Sequence, residues 1–215
     1  MNMKKRMLSV VLSGAMAVST AVSAGSFSAF AVAQCVAYSG SNVNDQDYVQ
    51  WSDTVKSYLT VCDNGNYMRV QSGAIEGKLL VEYYSSDFEP LSTKLIDNEL
   101  PIFGAFYDSG NNYYVLSGQE NPKQNDSLEV FRITKYDKNW NKIKSCGLYG
   151  ANTTVPFDAG SARMTHSGDH LLVRTCHEMY KSSDGNNHQA NVTIEVDMPS
   201  MTITDSYTGV MNVDY

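Results

Sequence analysis

Residues 57–96 read SYLTVCDNGNYMRVQSGAIEGKLLVEYYSSDFEPLSTKLI. β-Branched and aromatic residues gather in short runs, Asp, Asn, Gly and Ser gather between the runs, and nothing shows a helical period. The stretch therefore predicts four strands, at 57–62, 66–72, 78–84 and 91–96. The same plan follows twice more. Residues 102–146 predict strands at 102–107, 112–118, 128–136 and 140–146, and residues 161–206 predict strands at 161–165, 169–176, 189–196 and 201–205.

Two turns recur with the strands. The first hairpin of each unit turns on a similar tetrapeptide, Asp63-Asn64-Gly65-Asn66, then Asp108-Ser109-Gly110-Asn111, then His166-Ser167-Gly168-Asp169. Glycine supplies the positive φ that a tight hairpin needs. In the last hairpin, Tyr84, Phe88 and Leu91 match Tyr136, Trp140 and Ile143 in spacing, with a weaker version at Val196-Asp197, Met201 and Ile203. An aromatic placed after the turn can pack back onto its partner strand.

Four-stranded units repeating every ~40–50 residues are the pattern of propeller blades. The chain resembles the secreted bacterial β-propeller proteins, with ITKYDKNWNKI (133–143) reading as the outer hairpin of a blade. The resemblance covers about residues 57–206 and implies a fold, with little about function. The expectation is an all-β, β-propeller-like array of three four-stranded antiparallel blades, at about 57–97, 102–147 and 160–206, within a domain spanning 57–215. The alternative is a β-sandwich of twelve strands. Closed propellers have about 4–8 blades, and SYTGVMNVDY (206–215) reads as an interrupted next strand. The array is thus expected to be part of a larger propeller, with C-terminal blades missing, or to be completed by a partner chain.

Ahead of the repeats, Lys4, Lys5 and Arg6 precede a run of apolar and small residues without a carboxylate, and Ala24 and Ala33 each end a small-residue cleavage pattern. Residues 1–33 read as a secretory signal peptide cut after Ala33, the run being too rich in Ser and Gly for a membrane span. The expected location is extracellular, with no membrane insertion after cleavage. Gln34 before Cys35 disfavours a lipid anchor. Residues 34–56 form an entry segment; its Asn42, Asn44, Asp45 and Asp47 lack the glycine and terminal glutamate of a calcium loop.

From residue 34 onward, 13 Lys and Arg stand against 23 Asp and Glu, a net charge of −10. That balance argues against nucleic acid and anionic membranes as partners. Cys35, Cys62, Cys146 and Cys176 permit two disulfides in three pairings.

All four histidines lie between 166 and 188. His166 and His170 belong to the first hairpin of the third unit, and His177 lies seven residues beyond His170, about 23 Å along an extended strand. They cannot form one centre, and no metal site or cofactor is expected. His177 and His188 flank the loop between the second and third strands, a loop that lengthens from unit to unit. That loop, with His177, Glu178, Tyr180, Asp184, His188 and Asn191, is the expected ligand-binding surface, for a glycan or a protein. No nucleophile elbow, zinc-protease motif, phosphate loop or dinucleotide fingerprint occurs, and no catalytic residue is assigned. The expected function is an extracellular binding module. A secreted propeller hydrolase or lyase and a structural envelope protein are the alternatives.

Overall fold

The computed structural model describes residues 54–158, 160 and 162–209. The expected signal peptide, the expected entry segment up to residue 53 with Cys35, and residues 210–215 lie outside the described residues. The described chain is all β, in three antiparallel sheets. Sheet 1 holds β1 (Ser57–Val61), β2 (Tyr67–Ile75), β3 (Lys78–Tyr84) and β4 (Pro90–Asp97), in sequence order. Sheet 2 repeats the meander with β5 (Ile102–Asp108), β6 (Tyr113–Gly118), β7 (Glu129–Tyr136) and β8 (Lys142–Tyr149). Sheet 3 adds a fifth strand. β9 (Thr153–Pro156) and β10 (Arg163–Ser167) both pair with the long β11 (His170–Lys181), which continues into β12 (Asn187–Asp197) and β13 (Thr202–Tyr207).

This is the expected propeller-like array, and the sandwich is excluded because the strands divide into three separate meanders. Two details differ from the sequence reading. β9 was not anticipated, and the expected ten-residue loop after His177 is mostly ladder. β11 runs through to Lys181, so that only Ser182 to Asn186 make the turn.

The sheets stack through two cores. Met68, Val70, Leu79 and Val81 of sheet 1 pack on Phe103, Phe106, Tyr113 and Val115 of sheet 2. The other face of sheet 2, with Tyr114, Leu116, Phe131 and Ile133, packs on Leu171, Val173, Val192 and Ile194 of sheet 3. β6 serves both cores because its successive side chains point to opposite faces, and all six of its residues are buried. The outer face of sheet 3 is mostly polar, with His170 on Glu195 (2.7 Å) and Arg174 on Thr193 (2.6 Å).

Lysines tie sheets 1 and 2 each to the outer turn of the following sheet. Lys94 donates to the Asn139 carbonyl, Lys144 to the Ser200 carbonyl (2.6 Å) and Lys135 to the Met198 carbonyl (3.0 Å).

The outer turns explain the recurrent aromatic. In Ser85–Glu89, the Ser85 N–H donates to the Glu89 carbonyl and the Phe88 N–H to the Ser85 carbonyl; Asp137, Trp140 and Asn141 repeat both bonds. Ser85 Oγ and Asp137 Oδ1 each accept two further backbone N–H groups across their turns. The fourth residue of the turn is left-handed, with φ of 63° at Phe88, 63° at Trp140 and 50° at Met201. A non-glycine residue there costs about 1–2 kcal/mol. The side chain offsets that cost by packing on the strands. Trp140 packs at a tilt on Tyr113 at 4.8 Å and Tyr136 at 5.6 Å, and Phe88 lies parallel to Tyr67 at 4.4 Å.

Among the described residues, Cys62, Cys146 and Cys176 are free thiols and form no disulfide with one another. Cys146 is shielded enough that burial pushes its thiol up to about 11.

Candidate functional site

All three sheets meet in a cleft of about 390 Å³ at the end where the second strand of a sheet turns into the third. Thr54 and Lys56 line it from the residues before β1, Ser72 and Gly73 from β2, Ile102 and Phe103 from the start of β5, and Val155 to Asp158 from β9 and the residues after it. The walls are held by backbone. Thr54 Oγ1 donates to the Phe103 carbonyl (3.0 Å), and the Ser72 N–H donates to the Lys56 carbonyl (2.9 Å). Among the described residues, the charged side chains of the lining are Lys56 and Asp158, and Asp158 accepts a hydrogen bond from Gln189 Nε2 at 2.7 Å. Phe103 and Phe157 supply apolar lining.

Phe157 reaches this position by an unusual route. Its backbone is left-handed (φ 62°), and its ring is buried against Gly104 and Gly118 in the neighbouring strands of sheet 2, with Phe131 edge-on at 5.4 Å. Gly104 is the extra residue of a bulge in β5, between Phe103 and Ala105. A glycine at a bulge lets another chain segment approach closely.

The residues expected from sequence are dispersed along this same end. On β11, His177 and Met179 point into the core, while Glu178 and Tyr180 point the other way. His177 has no exposed surface and sits opposite Ala190, not His188. Glu178 accepts a hydrogen bond from Thr154 Oγ1 at 2.6 Å. The Tyr180 hydroxyl accepts one from Asn121 Nδ2 at 2.9 Å, which clasps the β6–β7 loop of sheet 2 to sheet 3. Asp184 and His188 pair with each other at the exposed hairpin tip, Nε2 to Oδ2 2.8 Å. Asn191 faces Cys176, across the ladder. Among the described residues, no three His, Cys, Asp or Glu side chains converge as a metal site.

The cleft residues Thr54, Lys56, Ser72, Phe103 and Asp158 were not anticipated. They come from four distant segments, and the only local signal was the β-branched Thr153-Thr154-Val155 run of β9 before Pro156.

His177 stabilises this end in one protonation state. The Thr153 hydroxyl donates to the Ala151 carbonyl (2.9 Å), so its oxygen is the acceptor for the proton on His177 Nδ1, 2.6 Å away. Nε2 is buried, with no side-chain partner among the described residues. Burial lowers the imidazole pKa from 6.5 to about 4, against a weak opposing effect of the Thr208 backbone. A lowered histidine pKa means that the unfolded chain binds the proton more readily. The stabilisation is complete above pH 6.5 and is lost as pH falls toward 4. Between pH 7 and 4.5 this is worth about 2–3 kcal/mol. Urea unfolding at the two pH values should show that loss in the wild type and a correspondingly smaller one in His177→Gln. An equal loss in both would place the acid sensitivity elsewhere.

No protein-family model and no curated protein matches this chain. Among solved structures, it is similar to an exo-β-1,3-galactanase from Clostridium thermocellum, with a TM-score of 0.39 and 7% identity over 66% of this chain and 32% of that one. It is also similar to a GH43 β-1,3-galactosidase bound to galactodeoxynojirimycin, with a TM-score of 0.38 and 12% identity over 70% of this chain and 44% of that one. The chain therefore spans less than half the length of either.

Proposed function

We propose that this chain is an exported binding module that takes a polar, hydroxyl-rich ligand, a glycan, in the cleft at the strand-entry end. The observation that carries the reading is the composition of the cleft. Segments from all three sheets contribute to it, and its lining holds an ammonium, a carboxylate and two phenylalanine rings. Concave sites with apolar walls and a few placed polar groups are the usual form of small-ligand pockets. The flanking strip from Glu178 to Asn191 adds Gln189, already bonded to Asp158, and the exposed Asp184–His188 pair.

Glycan-array screening of the exported chain, followed by titration of each hit against Asp158→Ala and Lys56→Ala, tests this reading. The expected result is a bound glycan whose affinity falls roughly tenfold in each variant, the loss of one charge-assisted hydrogen bond. Binding unchanged in both variants, or no glycan bound, would overturn it. Release of reducing sugar from a bound glycan would replace it with the hydrolase reading.

A further inference from the structure

A second cavity, of about 450 Å³, opens at the other end of the array, between sheets 1 and 2. Its lining comes from the β1–β2 turn (Cys62, Asp63, Asn66), from β3 (Tyr83) and from sheet 2 (Tyr113, Lys138). The polar groups here are held in place by the interface itself. Tyr113 is only 4% exposed, yet its hydroxyl has no hydrogen-bond partner among the described residues. A buried phenol is normally bonded. This one is not among the sealed polar atoms, so it opens onto the cavity its ring lines.

Tyr83 offers a second donor. Its oxygen accepts the Trp140 indole N–H at 3.1 Å, which leaves its own O–H for a ligand. Lys138 is fixed 4.3 Å over the Tyr113 ring and 2.6 Å from Asp108. Burial, above all, raises the pKa of both phenols, so both remain donors.

The charges decide the ligand class. Lys138 against Asp63 and Asp108 leaves a single net negative charge around the cavity, which disfavours a carboxylate or phosphate. Two phenol donors, a thiol, two asparagines and a free carboxylate beside tyrosine rings suit a neutral polyhydroxylated molecule. The volume lies within the ~300–1,000 Å³ of small-ligand pockets.

The geometry points to a second binding site here, between sheets 1 and 2, for one or two units of a neutral sugar. It is independent of the strand-entry cleft, at the opposite end of the strands.

Trp140 reports on it directly, because its indole N–H is bonded to a lining hydroxyl. The exported chain is titrated with galactose, glucose, mannose, lactose and cellobiose while the Trp140 indole N–H resonance is followed. At least one sugar should move that resonance. Tyr113→Phe, which removes only the oxygen, should bind it roughly tenfold more weakly at unchanged Tm. Asp63→Ala, at an exposed position, should weaken binding without unfolding, and Asp158→Ala should leave binding intact. If no sugar moves the Trp140 signal, or Tyr113→Phe and Asp63→Ala both bind as the wild type does, the site does not exist. A sugar that leaves Trp140 unmoved and is lost in Asp158→Ala would support the strand-entry cleft and overturn this second site.

Discussion

Trp140→Ala should destabilise the protein by about 3–5 kcal/mol, the range for truncating a buried tryptophan. Trp140 is 4% exposed and packs on Phe106, Tyr113 and Tyr136 while donating its indole N–H to Tyr83. One truncation thus empties the interface between sheets 1 and 2 and leaves a hydroxyl without its partner. Phe88 is the internal control. It has the same turn and the same φ, but its side chain is 59% exposed, so Phe88→Ala should cost under about 1 kcal/mol. Trp140→Gly should be about 1 kcal/mol less damaging than Trp140→Ala, since glycine adopts the left-handed backbone freely. Urea midpoints of the three variants check this. If Phe88→Ala and Trp140→Ala were equally destabilising, the turn backbone and not the interface would be the source.

Gly104→Ala should cost about 3 kcal/mol, at the upper end for overpacking. A Cβ on Gly104 would stand 2.5 Å from Cε1 of Phe157 and closer still to Cζ. The ring lies just as close to the neighbouring strand, where a Cβ at Gly118 would stand 2.7 Å from Cε2, so sliding along the sheet gives it no relief. The cost should shrink when the ring is made smaller. In a double-mutant cycle, Gly104→Ala in a Phe157→Leu background should lose less than it does in the wild type, giving a coupling of about 1–2 kcal/mol. Additive effects would mean that the strained contact is not with Phe157. The same variant should also disturb the strand-entry cleft, because Phe103 and Phe157 both line it.

The sheets were legible because their punctuation is local. Asp, Asn and Gly at 63–66 and 108–111 mark tight turns without any tertiary context, and the Tyr136 to Trp140 spacing marks an outer turn in the same way. β9 was invisible because four residues are too few to show a period. The end of β11 was misread for a different reason. The run from His177 to Lys181 alternates inward and outward as a strand should, but polar residues stand on both faces, so composition suggested a loop where the ladder continues. The cleft was not legible at all. It takes Thr54, Ser72, Phe103 and Asp158 from segments up to 104 residues apart, and only the folded topology brings them together. His177 shows the converse. The sequence singled it out for its chemistry, whereas the structure gives that chemistry to the core, through a threonine that no motif connects to it.

The left-handed residue of the outer turns also limits how the sheets can diverge. Phenylalanine, tryptophan and methionine all occupy it, and none branches at Cβ. A valine, isoleucine or threonine there would set its second γ-substituent against the turn, at a position where β-branched residues are genuine outliers. Exchange among unbranched hydrophobes is therefore open to drift, while single steps to β-branched ones are closed. The position accepts an exposed ring at Phe88 and buried side chains at Trp140 and Met201, so its burial can change from sheet to sheet while its backbone stays the same.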